Sequence, residues 1–498
     1  MELSPDNIAL PLLTRVEKFL ASYNIRAYIV GGFLRDTLLC RQTDDIDIAL
    51  EADALTVAPD LAVHLGGKFV PLDKLNGVGR IILPQPNCAE RQWQLDLSTI
   101  EGGIVKDLGR RDFTIDSMAI NIDDIIKNTE VYPVIDPFNG VNDLQHKKIR
   151  ATGESVFEDD ALRLLRGARL AAELGFKIIP GTEALIRQNS NLIATVAGER
   201  LREELLRLLA LSNSGRFILY LDKLGLIQSL MPELHLTKGV EQPKEHQWDV
   251  FNHSVKTMDA VDFILGQGDW RYAKKEALEC IPWSTELDDY FAEKVSGGSD
   301  RRLLLKMAAL LHDIAKPQTK MINERGRIRF YHHPKQGAPI AADILERLRF
   351  STRETKLVTA VVRHHLRPVQ INRDGEPPTR RAIYRYYRDT GDAAVDTLFF
   401  SLADHLAARG KDLDMDNWRW HTATVEYILA QRCAREDATA GAAIINGYDI
   451  INSFGLKPGP EVGRLLEAVK EAHACGEITT RDEALAYAQS LLSSGEED

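Results

Sequence analysis

The sequence predicts an α+β protein, with a small mixed sheet and helices over residues 1–150 followed by a mostly helical chain. Three observations support this class. Short apolar strands separated by turns are confined to the first part, amphipathic helical periodicity dominates after it, and 498 residues exceed what one core can bury. We therefore expect four regions, at residues 1–150, 151–245, 246–410 and 411–498.

The first region begins with a predicted helix over residues 5–24, started by Ser4-Pro5-Asp6. Apolar alternation and turn residues then predict strands at 28–30, 45–50, 68–70, 78–83 and 93–97, with short helices at 33–39 and 61–65 and a turn at 84–87. A charged start followed by apolar residues also suggests a helix over 107–119.

Composition excludes several classes of protein. A formal net charge of −11 argues against a chain covered with basic residues, so any RNA contact must use a local basic stripe. Five scattered cysteines form no CxxC pair, which excludes a zinc knuckle and a disulfide framework. The acidic N-terminus and the lack of an apolar run of about 18 residues predict a cytoplasmic protein without membrane contact.

The stretch YIVGGFLRDTLLCRQTDDIDIAL at 28–50 predicts a nucleotide site. Asp45 and Asp47 are two apart on a strand, so both carboxylates share one face and could hold Mg²⁺. Gly31 and Gly32 would let backbone N–H groups approach a triphosphate at a helix start. Each piece alone also fits an ordinary turn or a solvated edge strand, but their spacing favours nucleotidyl transfer.

Further polar residues extend this predicted site. Asp96, in the strand WQLDL, is a candidate third carboxylate that could act as base for a 3′-hydroxyl or complete the metal shell. Arg35, Arg110 and Arg111 carry planar guanidinium groups suited to phosphate oxygens. The Arg110-Arg111 pair also fits a solvated helix end.

Five ordered motifs resemble those of the class II tRNA nucleotidyltransferases, the poly(A) polymerase-like family that includes bacterial CCA-adding enzymes. They are VGGFLRDTLL…DDIDIAL, GRRDFTIDSMAI, VIDPFNGVNDLQHKKIRATG, FEDDALRLLRGARLAAELGF and GERLREELLRLL. The resemblance implies that Asp45 and Asp47 bind the catalytic metals. It also implies that residues 110–112, including Asp112, contact the nucleotide and its sugar.

In this family a DxxR pair selects the base, and the resemblance puts it at Asp160 and Arg163. A carboxylate accepting from an exocyclic amine and a guanidinium donating to a ring nitrogen would admit cytosine and adenine and reject guanine and uracil. Arg166 and Arg169 follow on the same helix as further nucleotide-binding candidates. Without the upstream motifs, the same residues would fit a helix cap and a solvent-facing row of arginines.

The sequence departs from the family pattern at three places. Asp116 stands where an asparagine is usual, Asp159-Asp160-Ala161 where Glu-Asp-Pro is usual, and Leu170 where phenylalanine is usual. These departures leave the choice between C and A open. Downstream, Arg200, Arg202 and Arg207 could contact the RNA backbone, although intervening glutamates also allow an ion-pair lattice within the helix.

A second metal site is predicted from histidines and aspartates in order: His253, His312, Asp313, His333, His364 and Asp404, with His332 or His365 as substitutes for their neighbours. The order resembles the HD phosphohydrolase superfamily and implies one or two metals, a divalent transition metal or Mg²⁺. Residues 266–300 look like an insertion there. The tail from 411 resembles the C-terminal helical segment of bacterial CCA-adding enzymes with an HD domain.

The sequence thus predicts a Mg²⁺-dependent enzyme, monomer or homodimer, that adds CMP and AMP from CTP and ATP to the tRNA 3′ end. A poly(A) polymerase and an enzyme adding only CC or only A share the same motifs. A hydrolase working through the HD site is an alternative of another class. A small-molecule nucleotidyltransferase is disfavoured by the DDALRLLRGAR helix and the long helical body.

Overall fold

The computed structural model describes residues 9–74, 76–85, 88–126, 133–244, 246–272, 275–371, 376–439 and 444–494. Contacts divide the chain into two compact units. One comprises Met1–Val196 with Lys223–Ser229, and the other comprises Ala197–Asp222 with Leu230–Asp498. The four regions expected from the sequence stay a prediction, because this division is coarser.

A six-stranded sheet forms the centre of the first unit, in the order β3-β4-β5-β2-β1-β6. Its strands are β1 (Ala27–Val30), β2 (Asp45–Leu50), β3 (Lys68–Asp73), β4 (Val78–Gln85), β5 (Cys88–Thr99) and β6 (Ala119–Asn121). All neighbours are antiparallel except β2 and β5, which run parallel. The predicted mixed sheet is confirmed.

The strand β2 shows how the sheet positions polar groups. Ile46 and Ile48 are fully buried, whereas Asp45 is exposed and Asp47 is half-buried. Burying the isoleucines removes apolar surface from water, and alternation then turns the two aspartates to the other face. The observed strand, Asp45–Leu50, coincides with the predicted one.

The helices of the first unit differ from prediction in three places. They include α1 (Ala9–Ser22), α2 (Gly31–Leu38), α3 (Ala54–Leu65), α4 (Ile104–Gly109), α5 (Ile122–Ile126), α6 (Gly140–Gln145), α7 (Val156–Asp159), α8 (Arg163–Leu174) and α9 (Pro180–Gln188). The helix expected over 107–119 is wrong: α4 ends at Gly109, and a single 3₁₀ turn, Thr114–Asp116, precedes β6. Likewise α2 begins at Gly31 and not at Phe33. The helix expected at 61–65 begins earlier, at Ala54, because the Asp53 side chain caps it by accepting from the Leu55 N–H. Short strands β7 (Lys148–Ile149) and β8 (Lys177–Ile178) pair in parallel.

The rest of the chain is mainly helical. Its helices are α10 (Gly198–Leu209), α11 (Gly215–Lys223), α12 (Leu226–Leu230), α13 (Pro232–His235), α14 (Val250–Ile264), α15 (Lys275–Glu279), α16 (Thr285–Ala292), α17 (Arg301–Leu311), α18 (Lys316–Thr319), α19 (His333–Arg347), α20 (Thr352–His364), α21 (Arg367–Gln370), α22 (Arg380–Thr390), α23 (Ala394–Arg409), α24 (Met415–Thr439), α25 (Gly447–Phe454), α26 (Pro460–Ala474) and α27 (Arg481–Ser494).

Two small hairpins interrupt these helices, β9 (Lys294–Ser296) with β10 (Ser299–Asp300) and β11 (Lys320–Ile322) with β12 (Ile328–Phe330). Helices α14, α17, α20 and α23 pack together through buried residues such as Val261, Leu304, Val361 and Phe399. Among the residues that the structure describes, no helix combines the length and apolar character needed to cross a bilayer.

Candidate active and metal sites

Three carboxylates meet on the sheet of the first unit. Asp45 and Asp47 share one face of β2, and Asp96 on the parallel strand β5 is in register with Asp47. Asp47 and Asp96 are half-buried, whereas Asp45 is exposed. The structure therefore brings together the three carboxylates proposed from the sequence. The register of β2 with β5 places Asp96 beside Asp47, which the periodicity of a single strand could not predict.

The turn at Gly31-Gly32 supports Asp47 directly. The Gly32 N–H donates to Asp47 Oδ2 over 3.0 Å. Gly31 has φ of +66°, and a Cβ there would lie 2.8 Å from the same oxygen and 2.9 Å from Arg111 Nη1. A side chain at Gly31 would collide with both groups, so the close approach requires glycine.

The charge of Asp47 is poorly compensated. Burial raises the pKa of Asp47 to about 6, Arg111 lowers it, and the neighbouring Asp96 raises it further. A buried carboxylate with a second carboxylate in register favours binding a cation over staying ionised alone. The donor set of Asp45, Asp47 and Asp96 therefore fits a hard divalent ion such as Mg²⁺.

Asp96 has a partner that the sequence analysis did not anticipate. Arg80 on β4 donates from Nε and Nη2 to the two oxygens of Asp96, over 2.7 and 2.8 Å. The strand register pairs the two residues. This bidentate contact orients the carboxylate beside Asp47, and the role of Asp96 as base for a 3′-hydroxyl stays a prediction.

Arg35 is occupied within the protein. Its Nε and Nη2 donate to Asp36, and its Nη1 donates to Asp116 over 2.8 Å. Asp116 is buried and its Oδ2 makes no hydrogen bond with any residue in the described part of the chain. These contacts indicate that Arg35 holds α2 in place. They disfavour the contact between Arg35 and the triphosphate that the sequence predicts.

Arg163 and Arg166, two of the residues predicted to bind the nucleotide, lie against the Arg110–Asp112 segment. Arg163 donates to the carbonyl of Arg110 over 2.8 Å, and Arg166 Nε lies 3.2 Å from Asp112 Oδ2. Asp160 precedes α8, and its Oδ1 accepts from the Leu162 N–H. The two sequence motifs are therefore contiguous in space. Arg169 is buried and pairs with Glu173 one turn later.

The three arginines proposed to contact RNA do not form one surface. Arg200 and Arg207 are exposed on α10, whereas Arg202 donates to the carbonyl of Arg349 and lies over the Phe350 ring. Arg349 in turn lies 3.6 Å from Glu199. The RNA contact of Arg200 and Arg207 stays a prediction, whereas Arg202 makes a contact within the protein.

A second site lies among the helices of the second unit, where histidines surround Asp313. The ligand groups form two overlapping sets, His253-His312-Asp313 and Asp313-His333-His365. His312, His333 and His365 each place Nδ1 within 2.9 Å of the backbone carbonyl three residues earlier. Contacts of Nδ1 with a backbone carbonyl fix the orientation of each ring and leave Nε2 facing the centre of the candidate metal site.

Distances within this cluster fit a metal site. Asp313 lies 3.0 Å from His312 Nε2 and 3.3 Å from His333 Nε2, and Asp404 Oδ1 lies 2.9 Å from His253 Nε2. His312 Nε2 and both Asp313 oxygens are buried and make no hydrogen bond of ordinary geometry with the residues described. Unsatisfied imidazole and carboxylate groups converging on one point suit a divalent transition metal.

The structure changes one member of the predicted ligand set. His365, not His364, faces Asp313, with its Nε2 3.3 Å from that of His333. His364 is the last residue of α20, is half-buried and lies outside both ligand sets. His332 is exposed and likewise lies outside them. In each His-His pair, the helical turn directs only the second histidine inward.

A cavity of about 490 Å³ opens beside the cluster. Its lining includes Lys316, whose Nζ lies 2.6 Å from Asp313 Oδ2, and also His246, Arg329 and Gln370. Burial raises the pKa of Asp313, but His312 and Lys316 outweigh this and hold it well below its usual range. Burial and His253 lower the pKa of His246 to about 3. The sequence analysis missed Lys316, although it follows His312-Asp313 by three residues.

Three protein-family models match the chain. The poly A polymerase head domain matches residues 27–150, the probable RNA and SrmB-binding site of polymerase A matches residues 175–237, and the HD domain matches residues 284–409. The first spans the three-carboxylate site, and the last contains most of the Asp313 cluster.

Curated relatives match over nearly the whole chain. The A-adding tRNA nucleotidyltransferase of Deinococcus radiodurans is 31% identical over 93% of this chain and 95% of its own. The CC-adding tRNA nucleotidyltransferase of Thermus thermophilus is 31% identical over 93% of this chain and 92% of its own. Among solved structures, the Thermotoga maritima CCA-adding enzyme complexed with tRNA CCA has a TM-score of 0.58 at 21% identity, covering 99% of both chains.

Proposed function

Because this chain belongs to the tRNA nucleotidyltransferase family and is a nucleotidyltransferase, we propose that it adds CMP and AMP from CTP and ATP to the 3′ end of tRNA without a template. The observation that carries the proposal is the register of Asp47 with Asp96, beside Asp45 and the Gly31-Gly32 turn. These groups form a compact cation site next to backbone able to approach a triphosphate.

Each group has a distinct role in this proposal. Asp45 and Asp47 hold Mg²⁺, with Asp96 completing the shell or accepting the proton of the attacking 3′-hydroxyl. Bound Mg²⁺ would neutralise developing charge on the phosphate oxygens. Arg111, whose Nη1 lies near Gly31 and Asp47, contacts the triphosphate or sugar.

Base selection is assigned to the start of α8. Arg163 lies beside the Arg110–Asp112 segment, because it donates to the carbonyl of Arg110, and Asp160 precedes the same helix. A carboxylate and a guanidinium there would match the amine and ring nitrogen of cytosine or adenine. A wrong base would leave buried polar groups unpaired, at a cost of about 1–3 kcal/mol for each group.

The test uses purified protein, Mg²⁺ and three tRNA transcripts that end before CCA, after C and after CC. Each transcript receives labelled CTP or ATP singly and then both. Stepwise addition of C, C and A with a stop supports the proposal. An open-ended ladder of A would indicate a poly(A) polymerase, and no incorporation would contradict nucleotidyl transfer to tRNA.

A narrower activity is the second candidate. The two full-length relatives described above are named A-adding and CC-adding, so this chain could add only part of the CCA end. The same transcripts separate these cases. Addition of A to the CC-ended transcript alone indicates an A-adding enzyme, and a stop after two C indicates a CC-adding enzyme.

We also propose that the Asp313 cluster hydrolyses phosphate esters. Its ligand set, its cavity and the nearby Lys316 support this, because a metal beside a cation can bind a phosphate and activate water. Metal-dependent release of phosphate, abolished in Asp313→Asn with nucleotidyl transfer retained, would support the activity.

We further propose that the protein is located in the cytoplasm and is a monomer or a homodimer.

A further inference from the structure

The hairpin formed by β11 and β12 is unusually basic for this acidic chain. Residues 320–331, KMINERGRIRFY, contain four basic residues and one acidic residue, whereas the whole chain has a formal net charge of −11. Arg325, Arg327 and Arg329 are all exposed. Within the described part of the chain, no carboxylate forms an ion pair with any of their guanidinium groups.

Apolar side chains accompany these charges. Tyr331 is 54% exposed and Met321 is 58% exposed. The register pairs Met321 with Arg329 and Ile322 with Ile328, so Met321 and Arg329 share one face of the hairpin. We call the surface formed by Met321, Arg325, Arg327, Arg329 and Tyr331 the basic hairpin surface.

This surface leads into the cavity beside the Asp313 cluster. Arg329 and Tyr331 line the cavity, as does Phe330 between them. The carbonyl of Phe330 lies 2.8 Å from Nδ1 of the ligand His333, and the Phe330 ring lies 5.2 Å from Lys316 Nζ. The strand β12, which carries Arg329, therefore also carries the carbonyl group that orients His333, and Arg325 and Arg327 lie in the turn just before this strand.

We propose that the basic hairpin surface binds a single-stranded segment of RNA and guides its end into the cavity. The inference deepens the phosphate-ester hydrolysis proposed for the Asp313 cluster and rests on it for the fate of the bound end. Three unpaired guanidinium groups match the charge of successive phosphates, and exposed Tyr331 offers a ring on which an unpaired base can stack.

The balance of side chains favours RNA over an anionic membrane. Three arginines accompany one methionine and one tyrosine on this surface, so charge contributes more than apolar area. Ile322, which is 67% exposed, follows the opposite face of the hairpin with Ile328. A membrane-binding element would instead gather its apolar residues on one face.

The experiment measures binding of a fluorescein-labelled, 12-nucleotide single-stranded RNA to the full-length protein by anisotropy at several salt concentrations. It compares the wild type with Arg325→Ala/Arg327→Ala, the same variant with added Arg329→Ala, and Tyr331→Ala. The matched control is Lys356→Ala/Lys411→Ala, which removes two exposed charges elsewhere in the second unit. Nucleotidyl transfer to tRNA reports that each variant is folded.

We expect the triple variant to lose at least about tenfold in affinity and to reduce the slope of log affinity against log salt by about 2, since each phosphate contact on single strands contributes about 0.7. Tyr331→Ala should weaken binding without changing the slope, because it removes stacking and not charge. The control should bind as the wild type does.

Three results would overturn the proposal: no binding by the wild type, equal affinity and slope in the triple variant, or an equal loss in the control. If the second of these results came with loss of binding to phosphatidylglycerol vesicles in the triple variant, the surface would be assigned to a membrane. Hydrolysis of bis(p-nitrophenyl) phosphate is measured in parallel. A wild type that hydrolyses nothing, with RNA binding still dependent on the arginines, refutes the hydrolase and supports the RNA surface.

Discussion

The two candidate metal sites shift the pKa of their aspartates in opposite directions. At the sheet, burial and the neighbouring Asp96 raise the pKa of Asp47 to about 6, with Arg111 opposing them. Among the helices, burial also raises the pKa of Asp313, but His312 and Lys316 outweigh it and lower that pKa. At the sheet site, Arg111 and Arg80 therefore compensate the carboxylates only in part, whereas at the helical site His312 and Lys316 keep Asp313 ionised. A cation delivered with a nucleotide fits the first site, and a resident metal fits the second.

The largest effect is expected from removing a carboxylate of the sheet site. Asp47→Ala should reduce nucleotidyl transfer at least about 10³-fold, because a metal contact can supply several kcal/mol to the transition state. The matched control is Asp44→Ala, whose side chain accepts from Gln85. Single-turnover incorporation of labelled nucleotide into tRNA measures both. Equal rates in the two variants would refute the assignment of Asp47.

Replacing Arg35 tests whether this arginine has a structural role and not a contact with the triphosphate. Arg35→Ala leaves Asp116 buried without its partner and should lower the free energy of unfolding by about 3 kcal/mol. The double variant Arg35→Leu/Asp116→Leu removes both charges and should recover much of that loss. Urea denaturation measures each. A stable Arg35→Ala protein with a raised KM for nucleotide would restore the triphosphate contact.

Replacing His365 and His364 one at a time tests which of these two adjacent histidines is a ligand in the Asp313 cluster. His365→Ala removes a ring that faces Asp313 and should weaken metal binding about 10–100-fold, the scale seen even for outer-shell changes at metal sites. His364→Ala should leave the metal affinity unchanged. Competition with a chelator, read by metal content, measures both. Loss of metal in His364→Ala alone would contradict the observed geometry.

The smallest effect is the pH dependence of stability that arises from the partly compensated charge of Asp47. Because the pKa of Asp47 is raised in the folded state, folding is more favourable while Asp47 is protonated. This contribution to stability is present at low pH and is lost as pH rises from about 4 through about 6. In a chelator, Asp47→Asn should therefore stabilise the protein by about 1–3 kcal/mol at pH 7.5 and by much less at pH 4. Denaturation at both pH values measures this, and an equal effect at both would contradict the cause.

The sequence predicted the features of the sheet site that depend on local alternation, but not those that depend on pairing between distant strands. Strand alternation located Asp45 and Asp47 correctly, since a period of two leaves one arrangement with isoleucines inside. The register that joins Asp96 to Asp47 depends on long-range pairing, which no local pattern contains. The predicted helix at 107–119 failed because Gly109 ends α4 and the chain then turns into β6.

Side-chain partners were the least predictable part of both sites. Arg35 was expected to contact phosphate, but Asp116, which lies 81 residues later, occupies it. In the pair His364-His365 either ring could be a ligand, because the sequence does not reveal where α20 ends relative to Asp313. The order of histidines and aspartates was sufficient to locate the cluster but not to choose between adjacent residues.

The most direct test of the account is to assay Asp47→Ala and Asp313→Asn for both activities in parallel. We expect Asp47→Ala to lose nucleotidyl transfer to tRNA and to keep its bound metal and phosphate-ester hydrolysis, whereas Asp313→Asn should do the reverse. If Asp47→Ala still added nucleotides at the wild-type rate, or if Asp313→Asn abolished that addition while remaining folded, the assignment of two separate sites would be contradicted.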